Sequence, residues 1–86
     1  MAGPKVRLWA LSTCPWCRKT KLWLTAHDVD FDFVDIDLLS DAEYDAVVAD
    51  VQRFSGARSF PVVKIGDTVI VGYSPDKFAR ALGIRA

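Results

Sequence analysis

The sequence has no excess of charge of either sign. Eleven Lys and Arg residues balance eleven Asp and Glu residues, so the formal net charge is 0 at pH 7. Proteins that bind nucleic acid or an anionic membrane present a basic patch or stripe. The charge balance therefore excludes that electrostatic signature, and we expect no nucleic acid and no membrane among the partners of this chain.

Long apolar runs are also missing. A membrane-spanning helix needs about 20 consecutive apolar residues, and no stretch of this chain approaches that length. The segment Met1–Lys5 lacks the apolar core of a secretory signal peptide. We therefore expect a cytoplasmic protein, in a compartment that keeps thiols mostly reduced.

Metal ligands are scarce as well, because the chain has two Cys and one His. Structural zinc is almost always held by four ligands, and the two cysteines with His27 cannot fill such a site. The composition therefore predicts no metal site, and we expect His27 to face solvent near the end of a helix rather than to act as a base.

What the sequence does have is enough apolar residues for a core. Of its 86 residues 51% are hydrophobic, including three Trp and five Phe. That length and composition predict one domain over residues 1–86 that needs neither metals nor several disulfides. We expect it to be a monomer.

The two cysteines stand in the sequence Cys14-Pro15-Trp16-Cys17, between an apolar run and a helical segment. Pro15 suits the first position of a helix, because its φ is preset and its missing N–H is not needed there. Cys14 is then near the N-cap and Cys17 about one turn further on, with Cβ atoms roughly 5–6 Å apart. The spacing therefore allows a disulfide with small adjustments.

The chemistry of the pair follows from the helix end. Free N–H donors and the positive end of the helix dipole favour a thiolate at Cys14 and lower its pKa from about 8.5 toward 7 or below. Cys14 is therefore the candidate nucleophile and Cys17 the candidate resolving thiol. Arg18, Lys19 and Lys21 add positive charge that solvent screens.

Other interpretations of the cysteine pair stay open. A structural disulfide in so small a ring stabilises by only about 2 kcal/mol, and half of a zinc site would lack partners. Inert core cysteines do not fit the turn marked by Ser12, Thr13 and Pro15. A Cys-x-x-Cys pair beside a βαβ pattern is typical of redox proteins, so redox chemistry is the interpretation we favour.

The hydrophobic pattern predicts four strands and three helices in the order β-α-β-α-β-β-α. The predicted strands are Lys5–Leu11, Asp30–Leu38, Val62–Ile65 and Thr68–Val71, and the predicted helices are Pro15–Ala26, residues 41–54 and Pro75–Leu82. A parallel pair with a crossover helix, completed by a hairpin, gives a four-stranded mixed sheet with helices on both faces, an α/β fold.

Side-chain positions follow from the same pattern. Ser40 and Glu43 form a capping box, and Ser74 is expected to cap the last helix. Thr20, Trp23 and Leu24 are expected to face the sheet, whereas Trp16 is either an exposed rim for a partner or simple packing. The inner side of the second helix is predicted to carry Tyr44, Val47, Val48, Val51 and Phe54.

Three motifs resemble the glutaredoxin branch of the thioredoxin superfamily, over about Val6 to Leu82. They are Thr13-Cys14-Pro15-Trp16-Cys17, where the family usually has Tyr in place of Trp, Ser55-Gly56-Ala57-Arg58-Ser59-Phe60-Pro61, and Gly72-Tyr73-Ser74-Pro75-Asp76. The resemblance implies a thioredoxin-like fold and a dithiol oxidoreductase acting on disulfide-containing proteins or small disulfides. It implies no bound cofactor, with glutathione as a candidate reductant.

The resemblance also implies the roles of further residues. Thr13, Pro15 and Trp16 would form the active-site turn. Pro61 would be cis and face Cys14, so that the backbone of Phe60 is exposed to an extended substrate; the alternative is an ordinary trans Pro at the start of a strand. The other residues implied to bind substrate or glutathione are Arg58, Gly72, Tyr73 and Asp76.

The electron donor stays open, because the chain departs from the family at several positions. Glutathione-using members usually have Lys at the position of Leu11, and a second Gly at that of Tyr73. The Gly-x-x-Pro-Asp form of the third motif resembles the redoxins that serve ribonucleotide reductase and are reduced by thioredoxin reductase. Those redoxins, however, usually lack a residue like Pro15 and also carry the Lys at the position of Leu11, so the chain is intermediate between the two groups. Other glutaredoxins bridge an iron–sulfur cluster between two chains, which Pro15 usually disfavours.

Overall fold

The computed structural model describes residues 4–57 and 59–84. Its strands are β1 (Val6–Ala10), β2 (Asp32–Asp35), β3 (Val62–Ile65) and β4 (Thr68–Val71), and its helices are α1 (Pro15–Ala26), α2 (Asp41–Ser55) and α3 (Pro75–Leu82). A short 3-10 turn, Ile36–Leu38, follows β2. The predicted order β-α-β-α-β-β-α is confirmed.

The four strands form one sheet in the order β2-β1-β3-β4. Strand β1 runs parallel to β2 and antiparallel to β3, with Leu8 opposite Phe33 on one side and Val63 on the other. Strand β4 pairs antiparallel with β3 in a hairpin. Because β1 and β2 are parallel, their carboxyl ends meet at the same edge of the sheet, and this edge carries the site described below.

One face of the sheet holds the main core. Val6, Leu8 and Ala10 of β1 are buried, and they share a cluster with Leu24 of α1 and Phe78 of α3. Fully burying an aliphatic or Phe side chain is worth about 1.5–3 kcal/mol. Helices α1 and α3 are therefore held on this face mainly by apolar packing.

Helix α2 covers part of the opposite face. Its Phe54 packs on Trp9 of β1, with the ring centroids 4.9 Å apart, so the prediction of helices on both faces is confirmed. Strand β1 is covered only in part on this face, because Arg7 is exposed. On α2 itself, Val51 is fully buried whereas Tyr44 remains 39% exposed, so the predicted inner side is only shallowly packed.

The second strand is shorter than the predicted Asp30–Leu38. Pairing ends at Asp35, and the chain then turns, with the Leu39 N–H donating to the carbonyl of Ile36 (3.2 Å). Ile36 is completely buried, so the turn carries an apolar side chain into the core while it redirects the backbone toward α2.

The helix caps were predicted with mixed success. The capping box is confirmed, since Ser40 Oγ accepts from the Glu43 N–H (3.3 Å) and donates to the Glu43 carboxylate (2.9 Å). The prediction for Ser74 is wrong, because its side chain makes no capping hydrogen bond. Ser74 contributes its backbone carbonyl instead, which accepts from the Phe78 N–H (3.0 Å).

Thr20 and Leu24 are buried as expected, and Trp23 is partly buried against the core. The Trp23 ring lies between Phe78 and His27, with centroid distances of 5.5 and 3.9 Å. Among the described residues, no helix is both long and apolar enough to cross a membrane.

Candidate active site

Cys14 occupies the N-cap of α1. Its backbone is extended (φ −86°, ψ 120°), and Pro15 is the first helical residue, as the sequence predicted. The Cys14 Sγ accepts a hydrogen bond from the Cys17 N–H at 3.4 Å, which is the bond that a Ser or Asp oxygen makes at an ordinary N-cap. The sulfur therefore lies against the unpaired backbone donors of the first helical turn.

Cys17 lies one turn further on, on the buried side of α1. Its side chain is 0% exposed, and its Sγ accepts from the Leu11 N–H at 3.4 Å. Cys14 is only partly buried, and both cysteines are free thiols. One sulfur of the pair is therefore open to solvent and the other is enclosed.

The surroundings push the two thiol pKa values in opposite directions. At Cys14 partial burial is the largest influence and opposes ionisation, but hydrogen bonds from the Cys17 thiol, the Cys17 N–H and the Trp16 N–H outweigh it and lower the pKa below the ordinary 9.0. At Cys17 burial raises the pKa to about 11, and the interactions with Cys14 add to that effect. The Leu11 N–H and the charge of Lys21 act the other way at Cys17.

The turn before Cys14 is tied to the end of the neighbouring strand, which the sequence analysis missed. Asp37, in the turn after β2, accepts from the Ser12 N–H (2.8 Å) and from the Ser12 hydroxyl. These two hydrogen bonds lower the pKa of Asp37 below its ordinary value. Sequence analysis could have found this contact, because the ends of adjacent parallel strands meet at one edge.

Five of the predicted site residues line one cleft of about 280 Å³ next to the cysteine turn. They are Trp16, Phe60, Pro61, Gly72 and Tyr73. The Phe60–Pro61 peptide bond is cis, as the resemblance implied, and the Pro61 carbonyl accepts from the Gly72 N–H at 2.8 Å. Gly72 has a φ of 91°, a conformation that favours glycine.

Trp16 forms an exposed rim of this cleft. Its side chain is 54% exposed, and its ring lies 5.9 Å from that of Tyr73 by centroid distance. The ammonium of Lys19 lies 4.7 Å from the centroid of the Trp16 ring. Of the two interpretations of Trp16, the structure supports the exposed rim.

Other predicted residues lie apart from the cleft or outside the description. Asp76 is exposed in the first turn of α3, and Thr13 and Pro15 are exposed on the turn itself. Arg58 lies outside the described residues. Leu11, at the position where glutathione-using members carry Lys, is half-buried.

A larger cavity of about 710 Å³ lies between the start of β1 and the ends of α1 and α3. Its described lining residues include neither cysteine and none of the five cleft residues. Within residues 4–57 and 59–84, no group of three or more His, Cys, Asp or Glu side chains is arranged to hold a metal ion.

Comparison with known proteins agrees with this geometry. The protein-family model named Glutaredoxin matches residues 6–70, which is most of the chain. The chain belongs to the glutaredoxin family. It is accordingly a thiol–disulfide oxidoreductase, with the cysteine pair as its redox-active group.

Proteins similar to this glutaredoxin include an NrdH protein, a methanoredoxin and another glutaredoxin. The glutaredoxin-like protein NrdH of Salmonella typhimurium is 32% identical over 75 residues, covering 87% of this chain and 85% of the relative. The methanoredoxin structure from Methanosarcina acetivorans is 39% identical at a TM-score of 0.91, with 98% of this chain and 90% of that one covered. A glutaredoxin structure from Archaeoglobus fulgidus is 37% identical at a TM-score of 0.86, covering 91% and 85%.

Proposed function

We propose that this glutaredoxin reduces disulfides by a dithiol mechanism, with Cys14 as the nucleophile and Cys17 as the resolving thiol. The observation that carries the proposal is the asymmetry of the pair. Cys14 is partly exposed with a lowered pKa, whereas Cys17 is fully buried with a pKa of about 11. Only one of the two sulfurs is both accessible to solvent and favoured as a thiolate by its surroundings.

In the first step the Cys14 thiolate attacks a substrate disulfide. A bond forms between Cys14 Sγ and one substrate sulfur, the substrate S–S bond breaks, and the second substrate sulfur leaves as a thiolate that takes a proton from water. The product is a mixed disulfide at Cys14. The Cys17 thiol does not compete for the substrate, because at pH 7 only about 1 in 10,000 Cys17 sulfurs is ionised at a pKa of about 11.

In the second step Cys17 releases the substrate. Once Cys14 is in the mixed disulfide it carries no charge, so the repulsion and hydrogen bonding that Cys14 imposes on Cys17 are removed. The Cys17 pKa then falls, while the Leu11 N–H and Lys21 still favour its thiolate. The Cys17 thiol gives its proton to water and the resulting thiolate attacks Cys14 Sγ. The Cys14–Cys17 bond forms, the bond between Cys14 and the substrate sulfur breaks, and that sulfur leaves as a thiolate that takes a proton from water, so two electrons pass to the substrate.

The cleft supports a protein disulfide as the substrate. Trp16 and Tyr73 form an aromatic wall, and Phe60 and Pro61 line the same cleft. An extended peptide that carries the target disulfide can add along the Phe60 backbone as a short strand. The aromatic rings then contact the residues that flank the substrate cysteine.

The same cleft supports thioredoxin reductase, rather than glutathione, as the electron donor. Leu11 offers no cation for a glutathione carboxylate, and the Tyr73 ring occupies a position where glutathione-using members have a Gly. The third motif resembles the redoxins that thioredoxin reductase reduces, and the chain is 32% identical over 75 residues to a glutaredoxin-like protein NrdH. Of the residues that the resemblance implies for the glutathione amine, this chain retains Asp76, in the first turn of α3.

Cysteine variants test the mechanism. With a model protein disulfide, Cys14→Ser is expected to abolish reduction, and Cys17→Ser is expected to accumulate a mixed disulfide at Cys14 that mass spectrometry detects. A Leu22→Ala variant, altered at an exposed position of α1, serves as the control and should react as the unaltered protein does. Undiminished reduction by Cys14→Ser would overturn the proposal.

The donor is tested by two coupled assays run side by side, one with glutathione and its reductase and one with thioredoxin reductase. We expect turnover mainly with thioredoxin reductase. In Leu11→Lys the glutathione-coupled rate is expected to rise, because the substitution supplies the missing cation. Efficient turnover of the unaltered protein with glutathione would overturn the assignment of the donor and leave the dithiol mechanism intact.

A further inference from the structure

Asp37 holds one particular peptide unit of the active-site turn. This unit joins Leu11 to Ser12. Its N–H, from Ser12, donates to Asp37 Oδ1 at 2.8 Å, and its C=O, from Leu11, accepts from the Cys14 N–H at 3.1 Å. The Ser12 hydroxyl donates to the second carboxylate oxygen. The peptide unit is therefore fixed on one side by Asp37 and on the other by Cys14.

The adjoining peptide unit reaches the second sulfur. The Leu11 N–H donates to Cys17 Sγ at 3.4 Å. The segment Leu11–Ser12 thus contacts Cys14 through its carbonyl and Cys17 through its amide, and the carboxylate of Asp37 is its anchor to the neighbouring strand end.

We propose that Asp37 is a positioning residue for thiol–disulfide exchange, which acts through Ser12 to hold the Leu11–Ser12 backbone against both sulfurs. The proposal rests on the roles given to Cys14 and Cys17 above. It assigns a function to the short turn Ile36–Leu38, which follows β2 where the sequence pattern predicted that the strand continues. Asp37 is exposed and is not among the residues that line the cleft, so we assign it a positioning role and not a catalytic one.

A positioning role and a purely electrostatic role of Asp37 predict opposite changes in the pKa of Cys14. A carboxylate near a thiol disfavours the thiolate, so loss of the charge alone would lower the pKa of Cys14. Loss of the anchor frees the turn and weakens the N-cap geometry that stabilises the Cys14 thiolate, so it raises that pKa. The charged groups in this region also include Lys21, which is paired with Asp35 at 2.8 Å. Lys21 is unaltered in the variants of this experiment.

The experiment measures the pH dependence of Cys14 alkylation by iodoacetamide, with the site of modification assigned by mass spectrometry. Asp37→Ala is expected to raise the Cys14 pKa by at least about 0.5 unit, a threefold loss of thiolate at pH values well below the pKa. Asp37→Asn keeps an acceptor for the Ser12 N–H and a hydrogen-bond partner for the Ser12 hydroxyl. In this variant the pKa of Cys14 should therefore not rise. Asp45→Ala, which removes an exposed carboxylate on α2, is the matched control and should leave the profile unchanged.

Ser12→Ala is the second test, because it removes one of the two hydrogen bonds without altering Asp37. Ser12→Ala should raise the Cys14 pKa by less than Asp37→Ala does. If Asp37→Ala does not fold, a raised Cys14 pKa in Ser12→Ala supports the proposal and an unchanged one contradicts it. An unchanged or lowered pKa in Asp37→Ala, or an equal rise in Asp37→Asn, would overturn the proposal. Because alkylation needs neither substrate nor donor, its outcome is independent of whether the proposed function is correct.

Discussion

The asymmetry of the two thiols predicts which of them reacts first. In the reduced protein at pH 7, a small alkylating reagent such as iodoacetamide should modify Cys14 and leave Cys17 free. The pKa of Cys14 is below 9.0 and that of Cys17 is about 11. The test needs only the reduced protein and no knowledge of its substrate.

The magnitude follows from these values. A separation of at least about 2 pKa units gives Cys14 about 100 times more thiolate than Cys17 at pH 7. The more basic Cys17 thiolate is intrinsically about 8 times more nucleophilic, for a Brønsted slope near 0.45. The net preference for Cys14 is therefore at least about 12-fold. The complete burial of Cys17 can only increase it, because the reagent must reach the sulfur.

The assay follows modification over time at several pH values, with fragment-ion mass spectrometry to separate the two sites. The rate at Cys14 should rise with pH along a titration curve whose midpoint lies below pH 9, because the thiolate is the reactive form and the pKa of Cys14 is lowered. Cys14→Ser provides the control: Cys17 should stay slow through burial, although its pKa should fall below about 11 once the Cys14 sulfur is gone. Equal modification of both sites, or a preference for Cys17, would refute the reasoning.

Three further predictions concern the core, the resolving step and cluster binding. Leu24→Ala should lower the free energy of unfolding by about 3 kcal/mol in urea titrations, whereas Leu22→Ala, at a 64% exposed position, should change it by less than about 0.5 kcal/mol. Lys21→Gln should raise the pKa of Cys17 and lengthen the lifetime of a labelled Cys14 adduct, because it removes a charge that favours the Cys17 thiolate; a shorter lifetime would contradict this. Anaerobic reconstitution with iron, sulfide and glutathione should give no coloured dimer, since the rigid Pro15 follows Cys14; a dimer absorbing visible light would contradict that.

The fold was predictable wherever local pattern and burial agree. The hairpin between Val62–Ile65 and Thr68–Val71, the helix starts at Pro15 and Pro75 and the capping box at Ser40 each follow from one short stretch of sequence. The structure has them where expected. The apolar run of β1 was enough to place it in the sheet, although exposed Arg7 shows that one face is only partly covered.

The prediction of β2 is wrong where consecutive side chains turn toward different segments of the chain. Asp37 continues the alternation of β2, so the pattern alone extended the strand across it. In the structure Ile36 turns into the core and Asp37 turns toward Ser12. The Asp37–Ser12 contact follows only when the predicted pairing of β1 with β2 is considered as well, because the alternation within a single strand does not show which segments lie side by side. Ser74 has the residue type of a helix cap, but its backbone angles place only its carbonyl in use.

The cysteine pair and the residues of the cleft could be named from sequence only because three motifs resemble a known family. Residue chemistry alone placed the two cysteines three residues apart at a helix N-terminus, and it thereby predicted which is the nucleophile and which the resolving thiol. It did not give the cis state of the Phe60–Pro61 bond or the contact between Trp16 and Tyr73, because those join segments far apart in the chain.

The enclosure of Cys17 has a further consequence, for oxidative damage. A peroxide in solution meets Cys14 first, and the sulfenic acid formed there has a thiol one helical turn away. Condensation with that thiol gives a disulfide, which a reductase can restore, whereas further oxidation of an isolated sulfenic acid gives sulfinic acid, which is irreversible in most proteins. Keeping the second sulfur out of solvent therefore preserves it as the partner that rescues the first.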